Sequence, residues 1–188
     1  IGCEESATVR DAFRKRGHDA WSCDTQPTRG NPKWHFECSL QDTLRWEDPF
    51  DLLIAFPPCT HLASSGARWF KEKQAQQANA VEFARWLINY EYCGRVAVEN
   101  PIGILSTRVR KPDQIIQPWQ FGHGEVKATC LWLKNLPPLV PTDIVDGREA
   151  RVHRMAPGPN RSRARSKTFQ GIAEAMAMQW GALSPLTD

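Results

Sequence analysis

The sequence predicts an α/β fold: a mostly parallel sheet with helices on both faces. Three observations carry this. Short apolar runs alternate along the chain with stretches of helical spacing. Two of those runs, 51–56 (DLLIAF) and 95–98 (RVAV), lack an in–out alternation, as strands buried on both faces do. Helical stretches fall between such runs, the βα repeat that builds parallel sheets with right-handed crossovers.

Taken in order, the chain opens on Ile1, not Met, and reads as the tail of a buried strand, so a few residues are expected before it. Ser6–Arg16 reads as a helix and 19–23 (DAWSC) as a strand, and the strand 51–56 follows. Phe70–Tyr90 is helical, with Val81, Ala84, Leu87 and Ile88 on one face. After the strand at 95–98, another is expected at 129–133 (TCLWL). A last helix is expected from Gly171 to Trp180, with Ile172, Ala175, Met176 and Gln179 on successive turns. Between Pro137 and Lys167 five prolines and little periodicity predict a long irregular excursion, a length that is uncommon without a function. The expected organisation is a core over 1–136, an irregular basic segment over 137–167 and a closing helical segment over 168–188.

At 188 residues and 21.3 kDa the chain suits one domain with its own core. Apolar residues are 41% and charged residues 24%, as in ordinary globular proteins. Mean hydropathy is -0.50, and no apolar run approaches the ~20 residues of a membrane span. No secretory signal pattern opens the chain, so neither a membrane nor secretion is expected. Six cysteines (3, 23, 38, 59, 93, 130) form no CxxC pair and lie mostly in apolar segments, as reduced cytosolic cysteines do.

The net charge is +3, but it is local. Arg148 to Lys167 holds seven basic residues (Arg148, Arg151, Arg154, Arg161, Arg163, Arg165, Lys167) against Glu149 alone; the rest of the chain has 17 basic and 20 acidic residues. A solvated basic loop and a phosphate-binding arm both fit that composition. In the second reading, clustered guanidinium groups displace counterions from a nucleic-acid backbone.

The first chemical signal is Phe56-Pro57-Pro58-Cys59-Thr60-His61. Cys59 follows an apolar strand at the carboxyl end, where parallel sheets hold their ligands, and two prolines stiffen the turn. A thiol presented there is a candidate nucleophile; a buried structural cysteine is the alternative. A Cys59–His61 hydrolase pair is disfavoured, because neighbouring turn positions rarely face each other. The second signal, Val98-Glu99-Asn100-Pro101, ends the next strand. Alone it reads as a cap or turn; with Cys59 it sets a proton-handling carboxylate beside a nucleophile.

With these residues in family order across almost the whole chain, the sequence resembles the DNA (cytosine-5) methyltransferases, in particular small phage and prophage versions. PPC (57–59) is similar to their nucleophile motif and ENP (99–101) to their ENV motif. The resemblance implies a Rossmann-like S-adenosylmethionine-dependent methyltransferase fold and methyl transfer from S-adenosyl-L-methionine to C5 of cytosine in DNA. Cys59 would add to C6, while Glu99, followed by Asn100, holds N3 and the exocyclic amine. The base would be flipped out of a duplex to reach the site. It further implies residence in the cytoplasm of a bacterial host cell and a part in DNA methylation or protection from restriction.

The resemblance also maps the cofactor. Ile1-Gly2-Cys3-Glu4-Glu5-Ser6 stands at the glycine-rich first loop, with Gly2, Cys3, Glu4 and Ser6 as candidates, although only one glycine is kept. Asp24 stands where an acid bonds the ribose, and Phe56 and Pro57 border the cofactor. Asp42 is a weak substitute for the adenine-contacting acid. Thr168-Phe169-Gln170-Gly171-Ile172-Ala173 resembles the closing motif. The QxRxR motif aligns with Phe121–Thr129, so that Glu125 replaces the glutamine, Lys127 the first arginine and Thr129 the second. Lys127 keeps a charge without the guanidinium fork, and Arg163 or Arg165 is a candidate to reach in instead.

The stretch from Lys134 to Lys167 is too short for the family's target-recognition region. Arg148, Arg151, Arg161, Arg163, Arg165 and Lys167 are therefore expected to hold DNA through phosphates, with weak or short sequence preference, or with a specificity-supplying protein partner or a homodimer. The alternatives are methylation of single-stranded DNA or free cytosine nucleotide, and a nucleic-acid-binding relic without activity. His35 and Cys38 have HxxC spacing but no second pair, so no metal is expected. Trp86, Trp132 and Trp180 fit core positions; Trp34, Trp46 and Trp119 are candidates for exposure and base stacking.

Overall fold

The middle of the sheet is made by the first two residues of the chain. In the computed structural model, which describes residues 1–46, 50–64, 72–156, 158 and 161–184, Ile1–Gly2 lie extended between two strands. On one side Cys23 N donates to Ile1 O at 2.8 Å and Glu4 N to Cys23 O at 3.1 Å. On the other, Gly2 N donates to Ile54 O at 2.7 Å and Phe56 N to Gly2 O at 3.0 Å. The strand end expected at Ile1 is there, with the Ile1 side chain half-buried.

Around this pair, β1 (Ser22–Asp24) and β2 (His35–Glu37) run parallel, as do β3 (Leu52–Ala55) and β4 (Arg95–Pro101). β5 (Gln114–Ile116) and β6 (Thr129–Lys134) finish the sheet, with β6 antiparallel to β4 and β5 antiparallel to β6. From edge to edge the order is β2, β1, Ile1–Gly2, β3, β4, β6, β5. The mostly parallel sheet expected from the sequence thus has an antiparallel end. Counting Ile1–Gly2 first, the parallel part runs third, second, first, fourth, fifth, the doubly wound order, and the winding reverses between Gly2 and β3.

Successive strand residues point to opposite faces, which explains the uninterrupted apolar runs. Ile54 and Ala97 join the cluster under α1 (Thr8–Lys15) and the carboxyl-terminal α7 (Gln170–Gly181), with Val9, Phe13, Met176 and Trp180. Leu53, Val96 and Val98 join the opposite cluster under α2 (Leu40–Trp46) and α3 (Gln74–Ile88), with Leu40, Leu87 and Trp132. Helices therefore cover both faces. The α3 face predicted from spacing is the buried one: Val81, Ala84, Leu87 and Ile88.

Several elements differ from expectation. The 19–23 strand is shifted to Ser22–Asp24 because its partner β2 offers only three residues to pair with, and Trp21 instead stacks on Phe36 with ring centroids 4.9 Å apart. α3 begins at Gln74, and Phe70 and Lys71 lie outside the described residues. Trp86 is not a core residue: it is 36% exposed on the outer side of α3. Trp132 and Trp180 are buried as expected.

The 137–167 stretch is less irregular than its prolines suggest. It carries α5 (Arg151–Arg154) and α6 (Arg161–Ser166). It is also laced to the core: Gln179 of α7 both accepts from Val140 N and donates to Val140 O, each at 2.8 Å, and Val126 N donates to Glu149 O at 2.8 Å. α7 starts against the 121–123 loop, where His123 Nε2 accepts from Gly171 N at 2.9 Å. A Cβ on Gly171 would stand 1.9 Å from Phe121 O, so only glycine allows this approach. Among the described residues no helix is long and apolar enough to cross a membrane.

Candidate active site

A cleft of about 820 Å³ opens outside the carboxyl ends of the parallel strands, where the winding reverses. Its walls come from residues 3–6 after the amino-terminal pair, 56–60 after β3, 99–102 at the end of β4, 126–128 leading into β6, and α6 with the residues that follow it. Cys59, Glu99, Asn100 and Lys127, far apart in sequence, all line it.

The loops bearing Cys59 and Glu99 are bonded to each other. Asn100 Nδ2 donates to Pro57 O at 2.8 Å from a buried position, and Asn100 Oδ1 is buried without a partner. Farther out, Ser64 N donates to Ile102 O at 3.0 Å and Ile104 N to Leu62 O at 2.9 Å. The contact is so close that a Cβ on Gly103 would meet Leu62 O at 2.0 Å. Leu62 N and Ala63 N both donate to Cys59 O, at 3.0 and 2.9 Å, which closes the turn behind the thiol. Two prolines ahead of Cys59 have no N–H to offer, so this turn is held through its carbonyls.

Burial pushes the Cys59 thiol above its ordinary value, and the Glu99 carboxylate adds to the rise; Lys127 and Arg165 pull the other way. The Glu99 carboxyl is also raised, by burial first, against Lys127 and the Thr129 hydroxyl. The resting pair is therefore a neutral thiol beside a carboxyl that holds its proton more tightly than an exposed glutamate. Lys127 donates from Nζ to Arg165 O at 2.8 Å, so it joins the Cys59 wall to α6. Of the two arginines expected to reach in, Arg165 lines the cleft near the thiol and Arg163 does not.

The first loop turns without the usual glycines. Cys3 (φ 56°) and Ala7 (φ 61°) both adopt the left-handed conformation, at a cost of order 1–2 kcal/mol each. Gly2 is in the sheet and not on the cleft wall; its missing side chain makes room for Leu40, 2.4 Å from where a Cβ would lie. Cys3, Glu4, Ser6, Phe56 and Pro57 do line the cleft. Burial, with Asp24 adding to it, pushes the Cys3 thiol up to about 12. Glu4 caps α1: its oxygens accept from Val9 N at 2.6 Å and Arg10 N at 3.1 Å, with Ser6 Oγ at 3.2 Å. The amide groups that would receive a phosphate at this helix start are thus occupied by a carboxylate.

Asp24 ends β1 close to Cys3, with Oδ1 accepting from Gln26 N at 2.9 Å. Asp42 is not on the cleft wall: Ser39 donates to it at 2.6 Å and accepts from Asp42 N at 3.1 Å, the start of α2. His61 is not on the cleft wall, and its carbonyl accepts from Gln77 Nε2 at 3.2 Å. His35 bonds Ser22 Oγ at 2.8 Å and Gln26 O at 3.0 Å. Among the described residues no group of three or more His, Cys, Asp or Glu could hold a metal ion.

The basic segment divides. Arg161, Arg165 and Lys167 line the cleft. Arg148, Arg151 and Arg163 are engaged elsewhere. Arg148 stacks 3.9 Å from the Trp119 ring centroid. Arg151 pairs with Glu149 at 3.5 Å and with Glu125 at 3.2 Å, a carboxylate that also accepts from Val152 N at 3.1 Å. Arg163 pairs with Glu5. Glu125, expected in place of a motif glutamine, is thus a buried anchor for α5, and Thr129 is buried with its hydroxyl on Lys127 O at 3.2 Å. Trp34 is half-buried, with Arg14 over its ring at 3.8 Å, and the Trp46 side chain lies outside the described residues.

Sequence reasoning missed Arg29 and Glu5, which line the cleft and pair with each other. Arg29 lies in a Pro-Thr-Arg-Gly turn and Glu5 beside a second glutamate, and no spacing links them. The chain matches no protein-family model, and no curated protein is significantly similar to it.

Proposed function

We propose that the protein is a DNA (cytosine-5) methyltransferase that uses S-adenosyl-L-methionine. The observation that carries this reading is the pairing of Cys59 and Glu99 on bonded neighbouring loops of one cleft, at the switch point of a doubly wound sheet. The cleft is within the usual range for a small-molecule site.

The residues present fit the methyl donor. Glu4 already satisfies the start of α1, so this end of the cleft suits a cofactor that brings no phosphate there. Cys3, Glu4, Ser6, Phe56 and Pro57 would hold it, with Asp24 next to Cys3 behind the wall. When bound, S-adenosylmethionine supplies an electrophilic methyl group. The other end carries Lys127, Arg161, Arg165 and Lys167, which suits the phosphates of a DNA strand.

In this reading Cys59, as thiolate, adds to C6 of cytosine. Glu99 in its protonated form donates to N3 and accepts from the exocyclic amine, so that electron density moves to C5. C5 then takes the methyl group. Loss of the C5 proton to solvent water, return of the N3 proton to the Glu99 carboxylate and departure of Cys59 as thiolate restore the ring. The Cys59 proton must leave before attack, and Lys127 and Arg165 favour its loss.

The test is transfer of tritium from labelled S-adenosylmethionine to duplex DNA, single-stranded DNA and dCMP, with Cys59→Ala as control. Label on C5 of cytosine that disappears in the variant is expected. No label on any acceptor would sink the reading, and the best acceptor decides among duplex, single strand and free nucleotide.

A further inference from the structure

At the cleft mouth one carboxylate serves two guanidinium groups. Arg163 Nε donates to both oxygens of Glu5 at 2.9 Å, and a terminal nitrogen of Arg163 approaches Glu5 at 2.6 Å. Arg29 pairs with the same carboxylate and points a second bond at Arg163 O, 3.5 Å away. The cluster keeps a net positive charge. Its members are only partly withdrawn from water: the side chains of Glu5, Arg29 and Arg163 are 18%, 34% and 48% exposed. Pairs this wet are weak and exchangeable.

The backbones that carry the two arginines are held independently of that carboxylate. Arg29 N donates to Glu5 O at 2.8 Å and Thr28 Oγ1 to the same oxygen at 3.1 Å, so the backbone fixes Arg29 while the Glu5 side chain can swing away. α6 is tied separately, through Lys127 Nζ on Arg165 O. Arg29 and Glu5 share the cleft with Cys59, and Arg161 and Arg165, one helical turn apart on α6, line the same space. Guanidinium forks suit phosphate oxygens as well as carboxylates.

We infer that Arg29 and Arg163 form a phosphate-binding pair at the cleft mouth, whose Glu5 carboxylate is a built-in stand-in displaced by a backbone phosphate of the bound DNA strand. This rests on the reading that DNA enters the cleft. The strand is favoured over a free nucleotide because this partly exposed pair adds to the cations Arg161, Arg165 and Lys167 that line the cleft itself, a spread of charge wider than one nucleotide's phosphate needs. The device keeps two arginines ordered without offering both to any passing polyanion.

The experiment is fluorescence anisotropy of a labelled 12-nucleotide single-stranded DNA at a series of salt concentrations, without methyl donor. Competition by dCMP forms a second arm, and thermal unfolding is checked for each variant. Glu5→Gln should tighten oligonucleotide binding two- to fivefold, about the worth of one exposed ion pair. Arg29→Ala added to Glu5→Gln should cancel the gain and make the salt dependence shallower by about 0.7 in log–log slope. Unchanged or weaker binding by folded Glu5→Gln overturns the proposal, since Glu5 would then only clasp α6. An equal gain for dCMP overturns the assignment to a DNA strand. If the expected affinities appear while the wild-type protein transfers no methyl group, the catalytic reading fails and this one stands.

Discussion

Asn100 and Pro57 join the two loops of the candidate site through one buried hydrogen bond, 2.8 Å from the amide nitrogen to the carbonyl oxygen. The amide oxygen on the same side chain is buried without a partner, and Asn100 lines the cleft. Asn100→Ala removes the donor and leaves Pro57 O unpaired, which should cost about 1–3 kcal/mol of stability by urea unfolding. Single-turnover methyl transfer should slow more than DNA binding weakens, because the thiol loses its registration against Glu99. Unaltered transfer in a destabilised protein would make the bond purely structural.

Thiol reactivity should follow the charges around Cys59. Burial and Glu99 raise its pKa above the ordinary 9.0, and only the thiolate reacts. Alkylation of the Cys59 peptide by iodoacetamide, followed by mass spectrometry, should therefore still be climbing at pH 9. Glu99→Gln removes a negative neighbour and should shift the curve to lower pH. Lys127→Ala removes a positive one and should shift it to higher pH. Shifts of the opposite sign would refute this electrostatic account.

Glu99→Gln should also lower methyl transfer by about 10²–10⁴, the usual worth of a positioned acid–base group, while the unfolding midpoint changes little. Glutamine keeps the shape and the acceptor oxygen but has no acidic proton to give N3. A variant within tenfold of the wild type would leave Glu99 without a proton-transfer role.

Gly103 and Gly171 are fixed by contact and not by turn geometry. A methyl group at either would meet a backbone oxygen at about van der Waals overlap, 2.0 Å from Leu62 O and 1.9 Å from Phe121 O. Each alanine variant should lose about 2 kcal/mol or more. Gly17, with open space around it, carries its constraint only in its positive φ of 88°, and Gly17→Ala should cost less than either in the same thermal melts.

The legible parts of the fold were those with a strong local signal. β3 and the start of β4 are continuous apolar runs, and α3 shows its buried face in the spacing of Val81, Ala84, Leu87 and Ile88. β2, β5 and the short helix α4 (Leu105–Arg108) are three or four residues long, and their stability comes from neighbours that no local pattern names. In the site, Cys59 and Glu99 were readable because each directly follows or ends an apolar run. The engagement of Arg151 with Glu125 and of Arg163 with Glu5 was not readable, since the partners stand 26 and 158 positions apart. Composition showed a basic segment but could not show which charges were already neutralised.

The reversal of β6 has a consequence for engineering. Because β6 runs against β4, the segment entering β6 reaches the same sheet edge as the segments leaving β3 and β4, and Lys127 meets Cys59 and Glu99 there. The opposite end receives the entry to β4 and the exit from β6, joined where Lys134 Nζ donates to Tyr90 O and Cys93 O and Asn135 to Gly94 O. Tyr92 there is 79% exposed. A reporter domain or affinity handle spliced into the 91–92 turn would project from the pole opposite the chemistry, so the chain has a natural port for cargo that leaves the reactive end open.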